Sequence, residues 1–184
     1  MVEIGVLLPV RNTERGLPKF ITPKKDGRIH WFSDMRELNK VIKQTQYNFP
    51  IITDVLGKWK WYEFLTKLDI SMQYYTFELD KESKKLCTIA TPFGPFWYNR
   101  VPMGLKTSPG YAQAQMEEVL WGIADTECYI DNIGIFSTSW KQHLATVDEV
   151  LRCLEENGFT INPLKCKWAV KETNRLGYWL TPTD

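Results

Sequence analysis

The sequence predicts an α+β fold, and three observations carry that prediction. Short β-prone runs alternate with turn signals along most of the chain, as at 20–23 and 29–33 on either side of Asp26-Gly27. A long stretch from Ser139 to Leu154 repeats apolar residues at helical spacing. A hydrophobic content of 43%, with eight Trp, eight Tyr and nine Phe in 184 residues, is enough for a packed core in one body or two lobes.

Taken in order, residues 1–17 show little periodicity, and 4–9 look like the end of a longer element. Residues 20–23 and 29–33 read as a hairpin whose tip carries Lys24, Lys25 and Arg28. Such a tip suits a triphosphate, through charge-assisted contacts, or simply keeps the loop solvated. Asp34 is a good N-cap for a short helix through Val41 and Ile42. Pro50 breaks the chain, and Thr53 or Asp54 caps a further helix with Val55, Leu56 and Trp59 on one face. Residues 63–70 form a strand that ends in Asp69.

Asp80 opens a short capped helix to Leu86. Residues 87–91 and 96–101 then bracket Pro92-Phe93-Gly94-Pro95 as a second hairpin. Ser108 and Pro109 are set for the N-cap and first position of a helix with Ala112, Met116, Val119 and Leu120 at helical spacing, stopped by Gly122. Tyr129-Ile130-Asp131-Asn132 reads as a third hairpin with Asp131 at its tip and Asp131-Asn132 as the turn-prone pair.

Ser139 with Gln142 predicts a capping box for the long helix. Trp140, Leu144, Val147, Leu151 and Leu154 form its apolar stripe, packing on the back of the sheet, with His143 at the surface. Asn157-Gly158 ends it. Strands at 159–163 and 166–170 flank Lys165.

Composition limits the chemistry. The net charge of +1 gives no argument for nucleic-acid binding. Residues 1–60 hold eleven Lys/Arg against six Asp/Glu, and the remainder twelve against sixteen. That asymmetry suits a phosphate-touching front and a metal-holding back, and ordinary surface variation also produces it. The four cysteines lie far apart with no Cys-x-x-Cys pair and only His30 and His143 to join them, which argues against zinc. Dispersed thiols, no secretory leader and no run of membrane-spanning length together predict an intracellular protein with no membrane partner.

Two acidic strand ends, Asp69 in Thr66-Lys67-Leu68-Asp69-Ile70 and Asp131 in the third hairpin, can share divalent metal, and hard oxygen ligands favour Mg²⁺. With Asp34-Met35-Arg36-Glu37-Leu38-Asn39 and Val101-Pro102-Met103-Gly104-Leu105 through Pro109, these stretches give nearly the whole chain a likeness in motif order. It resembles the reverse transcriptases of gypsy-like LTR retrotransposons. The resemblance implies an antiparallel polymerase palm backed by helices and a β-rich fingers lobe, without thumb or RNase H. It implies fingers at 1–44 and 79–102 and palm at 45–78 and 103–184.

The resemblance also implies roles. Asp69, Asp131 and Asn132 would be catalytic, with Asp69, Asp131 and the Ile70 carbonyl holding two Mg²⁺ ions, for which Mn²⁺ can substitute. Lys24, Lys25, Arg28, His30, Tyr74, Met103, Gly104 and Lys165 would meet the deoxynucleoside triphosphate. Tyr129, Pro109, Leu176 and Gly177 would meet an RNA or DNA template–primer. Tyr74 would exclude a 2′-hydroxyl, and Lys165 would protonate pyrophosphate.

Three residues depart from the family pattern: His30 stands for an Arg, Gln73 for a small residue, and Asn132 for an Asp. Gln73 brings bulk beside Tyr74, and Asn132 removes a negative charge from the metal site. Two functions follow as expectations: template-directed DNA synthesis, or a fold kept as a non-catalytic module that binds nucleic acid or protein.

Overall fold

The computed structural model describes residues 1–13, 16–23, 29–43, 46–51, 61–175 and 178–181. In chain order its elements are β1 (Leu7–Pro9), β2 (Lys19–Pro23), β3 (Ile29–Ser33), α1 (Arg36–Val41), β4 (Phe64–Ser71), a 3₁₀ turn (Gln73–Thr76), α2 (Lys81–Leu86), β5 (Thr88–Thr91), β6 (Gly94–Tyr98), α3 (Ser108–Val119), β7 (Thr126–Tyr129), β8 (Asn132–Ser137), α4 (Trp140–Glu156), β9 (Thr160–Ile161), β10 (Lys167–Val170), β11 (Thr173–Arg175) and β12 (Tyr178–Leu180). The helix expected after Pro50 lies outside the described residues.

The chain divides into two compact units, 1–46 with 74–109 and 47–73 with 110–184. The sequence reading puts the changes of lobe at 44/45, 78/79 and 102/103. The compact units divide at 46/47, 73/74 and 109/110, and Tyr75, Leu79 and Leu105 pack in the core of the first.

In the first unit β6 lies between β1 and β5, all antiparallel, and β2 pairs with β3. Val6, Leu7, Met35, Cys87, Ile89 and Tyr98 are buried there together. Burial pushes the Cys87 thiol up to about 11, so it packs as an inert apolar group. Asp80 caps α2 as expected, accepting from the backbone N–H of Glu82 and Ser83. Asp34 acts one residue earlier than a true N-cap. Met35 holds that position, while Asp34 Oδ1 accepts from Arg36 N at 3.0 Å and its carboxylate binds the Arg36 guanidinium. Those bonds hold the Asp34 pKa down to about 2.

In the second unit the order is β10-β4-β8-β7, with β9 pairing the end of β4. Strand β4 is central, and Leu65, Leu68 and Ile70 are buried in it, as continuous burial on both faces requires. Helix α4 packs on β8 and β4. Its buried face differs from the expected stripe. His143, Thr146, Val150 and Leu154 face inward, whereas Trp140 and Leu144 are each half exposed. The expected capping box is absent. Ser139 makes no side-chain cap, and Gln142 Nε2 donates instead to Asp125 Oδ2 at 2.7 Å.

His143 is therefore not a surface residue; it is 1% exposed. Its Nε2 lies 2.8 Å from Thr66 Oγ1 and its Nδ1 lies 3.2 Å from Ser137 Oγ, so the ring ties α4 to β4 and β8. Thr66 Oγ1 also accepts from Ala169 N at 3.1 Å, where the β10–β4 register shifts. Burial pushes the His143 pKa below 6.5, so the folded state holds the neutral ring. Its contribution to stability is complete above that unfolded value and is lost as pH falls through the lowered folded one. A thermal midpoint followed from pH 8 to pH 5 is expected to drop below pH 6.5, and His143→Gln to flatten that limb.

Helix α3 starts at Ser108, but the Ser108 hydroxyl is buried with no hydrogen-bond partner among the described residues, so it does not cap. Ala112 and Met116 are fully buried, as the spacing predicts. Gly110 packs on Tyr47: an added Cβ would stand 2.7 Å from Tyr47 Cβ. Tyr47 cannot simply swing away, because its hydroxyl donates to Glu117 Oε2 at 2.5 Å. Helix propensity alone would make Gly110→Ala stabilising by about 1 kcal/mol. The clash is expected to reverse that sign, giving a net loss of about 1 kcal/mol in urea unfolding.

Candidate nucleotidyl-transfer site

Strand β4 carries Asp69 near its end, and two neighbouring segments fix it. On one side Asn132, the first residue of β8, is its register partner. On the other, Asn162 N donates to Asp69 O at 2.8 Å, while Asp69 N donates to Cys166 Sγ at 3.5 Å. Both backbone groups are thus engaged, and the carboxylate is aimed by a strand that cannot slip.

The β7–β8 hairpin brings up the second carboxylate. Tyr129 pairs with Asn132, so the two loop residues are Ile130 and Asp131. Asp131 is at the tip as expected. Asn132, expected in the turn, is already in the ladder, and Ile130 takes its place. Ile70 N donates to Asp131 O at 2.7 Å, which joins the tip directly to the residue after Asp69. Asn132 Nδ2 donates to Asp131 Oδ1 at 2.8 Å.

Ile130 has φ +53°. A positive φ at the first loop position is the type II′ pattern, which favours glycine. For a β-branched residue it costs roughly 1–3 kcal/mol and persists only where the surroundings over-determine it. Two glutamines do so here. Gln113 Oε1 accepts from Ile130 N at 2.6 Å, and Gln73 Nε2 donates to Ile130 O at 3.0 Å. Gln113 is fully buried on the apolar face of α3, with its amide group also donating to Glu117 Oε1 at 2.8 Å and Cys128 O at 3.1 Å. Sequence reasoning missed Gln113. Its signal is a polar residue beside Ala112 on the apolar face of a helix.

Lys165 lies beside the first carboxylate, its Nζ 3.2 Å from Asp69 Oδ1 and 3.3 Å from Oδ2. The Asn162-Pro163-Leu164-Lys165 turn presents it: Asn162 O accepts from Lys165 N at 3.0 Å, and Asn162 Oδ1 from Leu164 N at 3.2 Å. The Tyr129 ring meets Phe49 at a centroid distance of 6.2 Å, and Phe49 meets Tyr47 at 5.2 Å.

The second unit therefore gathers Asp69, Ile70, Tyr129, Asp131, Asn132 and Lys165. The described residues hold no cluster of three or more His, Cys, Asp or Glu suited to a metal. That donor set fits Mg²⁺ nonetheless. Mg²⁺ is ordinarily held by one or two carboxylates plus substrate phosphates and water, not by an all-protein cage. Asp69, Asp131 and the Ile70 carbonyl supply hard oxygen, and an ammonium already sits against Asp69 where a cation is attracted.

The first unit holds other expected residues. His30 lies in β3 opposite Thr22. Tyr74 lies in the 3₁₀ turn and Pro109 in the first turn of α3. Met103 and Gly104 are exposed. Gly104 has φ +98°, and an added Cβ would meet Met35 Cγ at 3.4 Å, so the loop needs glycine here. Asn39 fastens this loop, donating to Gly104 O at 2.8 Å and accepting from Lys106 N at 2.9 Å. Lys24, Lys25, Arg28, Leu176 and Gly177 lie outside the described residues. No helix among the described residues is long and apolar enough to cross a membrane.

Comparison with known proteins gives the family and the fold. The chain is 30% identical over 183 residues to the Retrovirus-related Pol polyprotein from transposon 297 of Drosophila melanogaster, covering 96% of this chain and 17% of that protein. It is 30% identical over 166 residues to the Transposon Tf2-7 polyprotein of Schizosaccharomyces pombe, covering 89% of this chain and 12% of that protein. The chain thus spans less than a fifth of either relative. Among solved structures, native prototype foamy virus protease–reverse transcriptase matches with a TM-score of 0.89 at 25% identity, over 98% of this chain and 24% of that one. The foamy viral protease–reverse transcriptase dRH in complex with double-stranded DNA matches with a TM-score of 0.92 at 22% identity, over 98% of this chain and 32% of that one. The fold is α+β, with the antiparallel sheets and helices of the fingers–palm portion of reverse transcriptase. The family profile for reverse transcriptase (RNA-dependent DNA polymerase) matches residues 22–180, and the chain belongs to that family.

Proposed function

We propose that this chain is the fingers–palm part of a gypsy-like LTR retrotransposon reverse transcriptase, working inside the cell on an RNA or DNA template–primer. The first unit is read as fingers and the second as palm. The observation that carries the reading is the junction of two acidic strand ends, made by the 2.7 Å bond from Ile70 N to Asp131 O. That the foamy viral enzyme has been solved with double-stranded DNA and with an RNA/DNA hybrid supports a nucleic-acid partner.

The reaction is an in-line displacement. The primer 3′-hydroxyl loses its proton to solvent as its oxygen bonds to the α-phosphorus of a deoxynucleoside triphosphate, the bond from that phosphorus to the α–β bridging oxygen breaks, and pyrophosphate leaves with the bridging oxygen. When bound, two Mg²⁺ ions (or Mn²⁺) supply Lewis acidity to the attacking hydroxyl and neutralise triphosphate charge. Asp69, Asp131 and the Ile70 carbonyl would hold them, and Asn132 would offer a neutral oxygen. Lys165 donates a proton to the leaving pyrophosphate, and its 3.2 Å approach to Asp69 supports a place beside the reacting phosphates. Lys24, Lys25, Arg28 and His30 draw in the triphosphate, Tyr74 rejects a 2′-hydroxyl, and Met103 and Gly104 meet the base. Tyr129, Pro109, Leu176 and Gly177 meet template and primer.

Primer extension on an RNA template with Mg²⁺ or Mn²⁺ tests this, with a His30→Arg, Asn132→Asp double variant alongside. Metal-dependent extension by the native chain supports the polymerase. Extension by the double variant alone, with template binding by the native chain in chelator, supports the non-catalytic module, a reading favoured by the neutral Asn132 beside Asp131.

A further inference from the structure

Gln73 stands out among residues with no assigned role in the reaction. It is 3% exposed, at the start of the 3₁₀ turn that follows β4. Its Nε2 donates to Ile130 O at 3.0 Å, while its Oε1 is buried with no hydrogen-bond partner among the described residues. Turning the amide over would set two oxygens against each other and leave Ile130 O without this donor. The orphaned oxygen is therefore the consequence of serving Ile130, and it makes the arrangement costly unless the bond to Ile130 matters.

The carbonyl it binds belongs to the Ile130–Asp131 peptide, whose plane sets the direction of Asp131. Ile130 sits at φ +53°, and its N–H is taken by Gln113. Gln113 alone fixes one end of Ile130. Gln73 fixes the other end, next to the carboxylate.

Resting on the metal-site reading above, we propose that Gln73 is a positioning residue: by clamping the Ile130 carbonyl it holds the strained turn in the one conformation that presents Asp131 to metal. Gln73 thereby couples the segment after Asp69 to the tip that carries Asp131. Its bulk, which the sequence alone assigns to crowding beside Tyr74, is used in this bond.

The test is Mn²⁺ binding by the full chain, followed by electron paramagnetic resonance, for native protein and Gln73→Met, each with and without Ile130→Gly. Methionine keeps the volume and removes the donor. Glycine accepts positive φ without strain, so it removes what the clamp opposes. Gln73→Met is expected to weaken Mn²⁺ binding about tenfold, the loss of one hydrogen bond. In the Ile130→Gly background the same change is expected to cost less than about threefold, since coupled residues are non-additive. An equal loss in both backgrounds, or no loss in either, overturns the proposal. No saturable binding by the native chain would instead overturn the metal-site reading. Should Gln73→Met not fold, the native protein still decides: the Gln73 side-chain amide protons are expected to exchange slowly by NMR, and exchange at the free-amide rate overturns the clamp.

Discussion

Asp69→Asn is expected to lower primer extension by at least about 10³-fold, the scale of several kcal/mol of charge stabilisation at a metal-assisted transition state. Asparagine preserves the volume and one oxygen and removes the charge. The loss is expected without unfolding, because the features that fix residue 69 are backbone bonds to Asn162 and Cys166 and the register with Asn132. Lys165 loses its partner, but its side chain is 64% exposed and stays solvated. Such a half-exposed pair contributes at most about 1 kcal/mol. Circular dichroism and the thermal midpoint should therefore stay close to native while extension disappears, and Asp131→Asn should behave alike.

Asn132→Asp is expected to act with opposite signs on metal binding and on metal-free stability. In the native chain the Asn132 amide donates to Asp131 Oδ1. Aspartate replaces that donor with a second negative charge at hydrogen-bond distance. At an effective dielectric near 20, two like charges ~4 Å apart repel by about 4 kcal/mol before relaxation. Part of this is relieved by proton uptake, which raises one carboxylate pKa. The thermal midpoint in chelator is expected to fall by several degrees. Divalent metal relieves the same repulsion, so the Mg²⁺ concentration for half-maximal extension is expected to drop about tenfold. Metal titrations of extension and of thermal midpoint check both signs on one sample.

The legibility of the chain in its sequence followed the range of the interactions. Hairpins at 19–33 and 88–98, the Asp80 cap and the α4 segment are local, and turn chemistry and periodicity found them. The acidic strand ends Asp69 and Asp131 are legible from the residues around them, and the motif order leads from there to the family. What stayed hidden depended on partners distant in sequence. His143 reads as a surface histidine on a helix whose stripe starts at Trp140. Hydroxyls on β4 and β8 rotate that face inward and satisfy both ring nitrogens. Ile130 reads as a strand residue, and only the bonds from Gln73 and Gln113 let a β-branched residue hold a glycine-like turn. Local propensity favours Asp-Asn as the turn, and tertiary bonds moved it by one residue.

The most direct measurement is Mn²⁺ titration of the native chain beside Asp69→Asn and Asp131→Asn, read as loss of the free-ion paramagnetic resonance signal. The expected result is saturable binding by the native chain, weakened at least about tenfold in each variant while both stay folded, since one charge of a shared carboxylate pair is gone. Equal binding by all three proteins would contradict the assignment of Asp69 and Asp131 as the metal-holding pair.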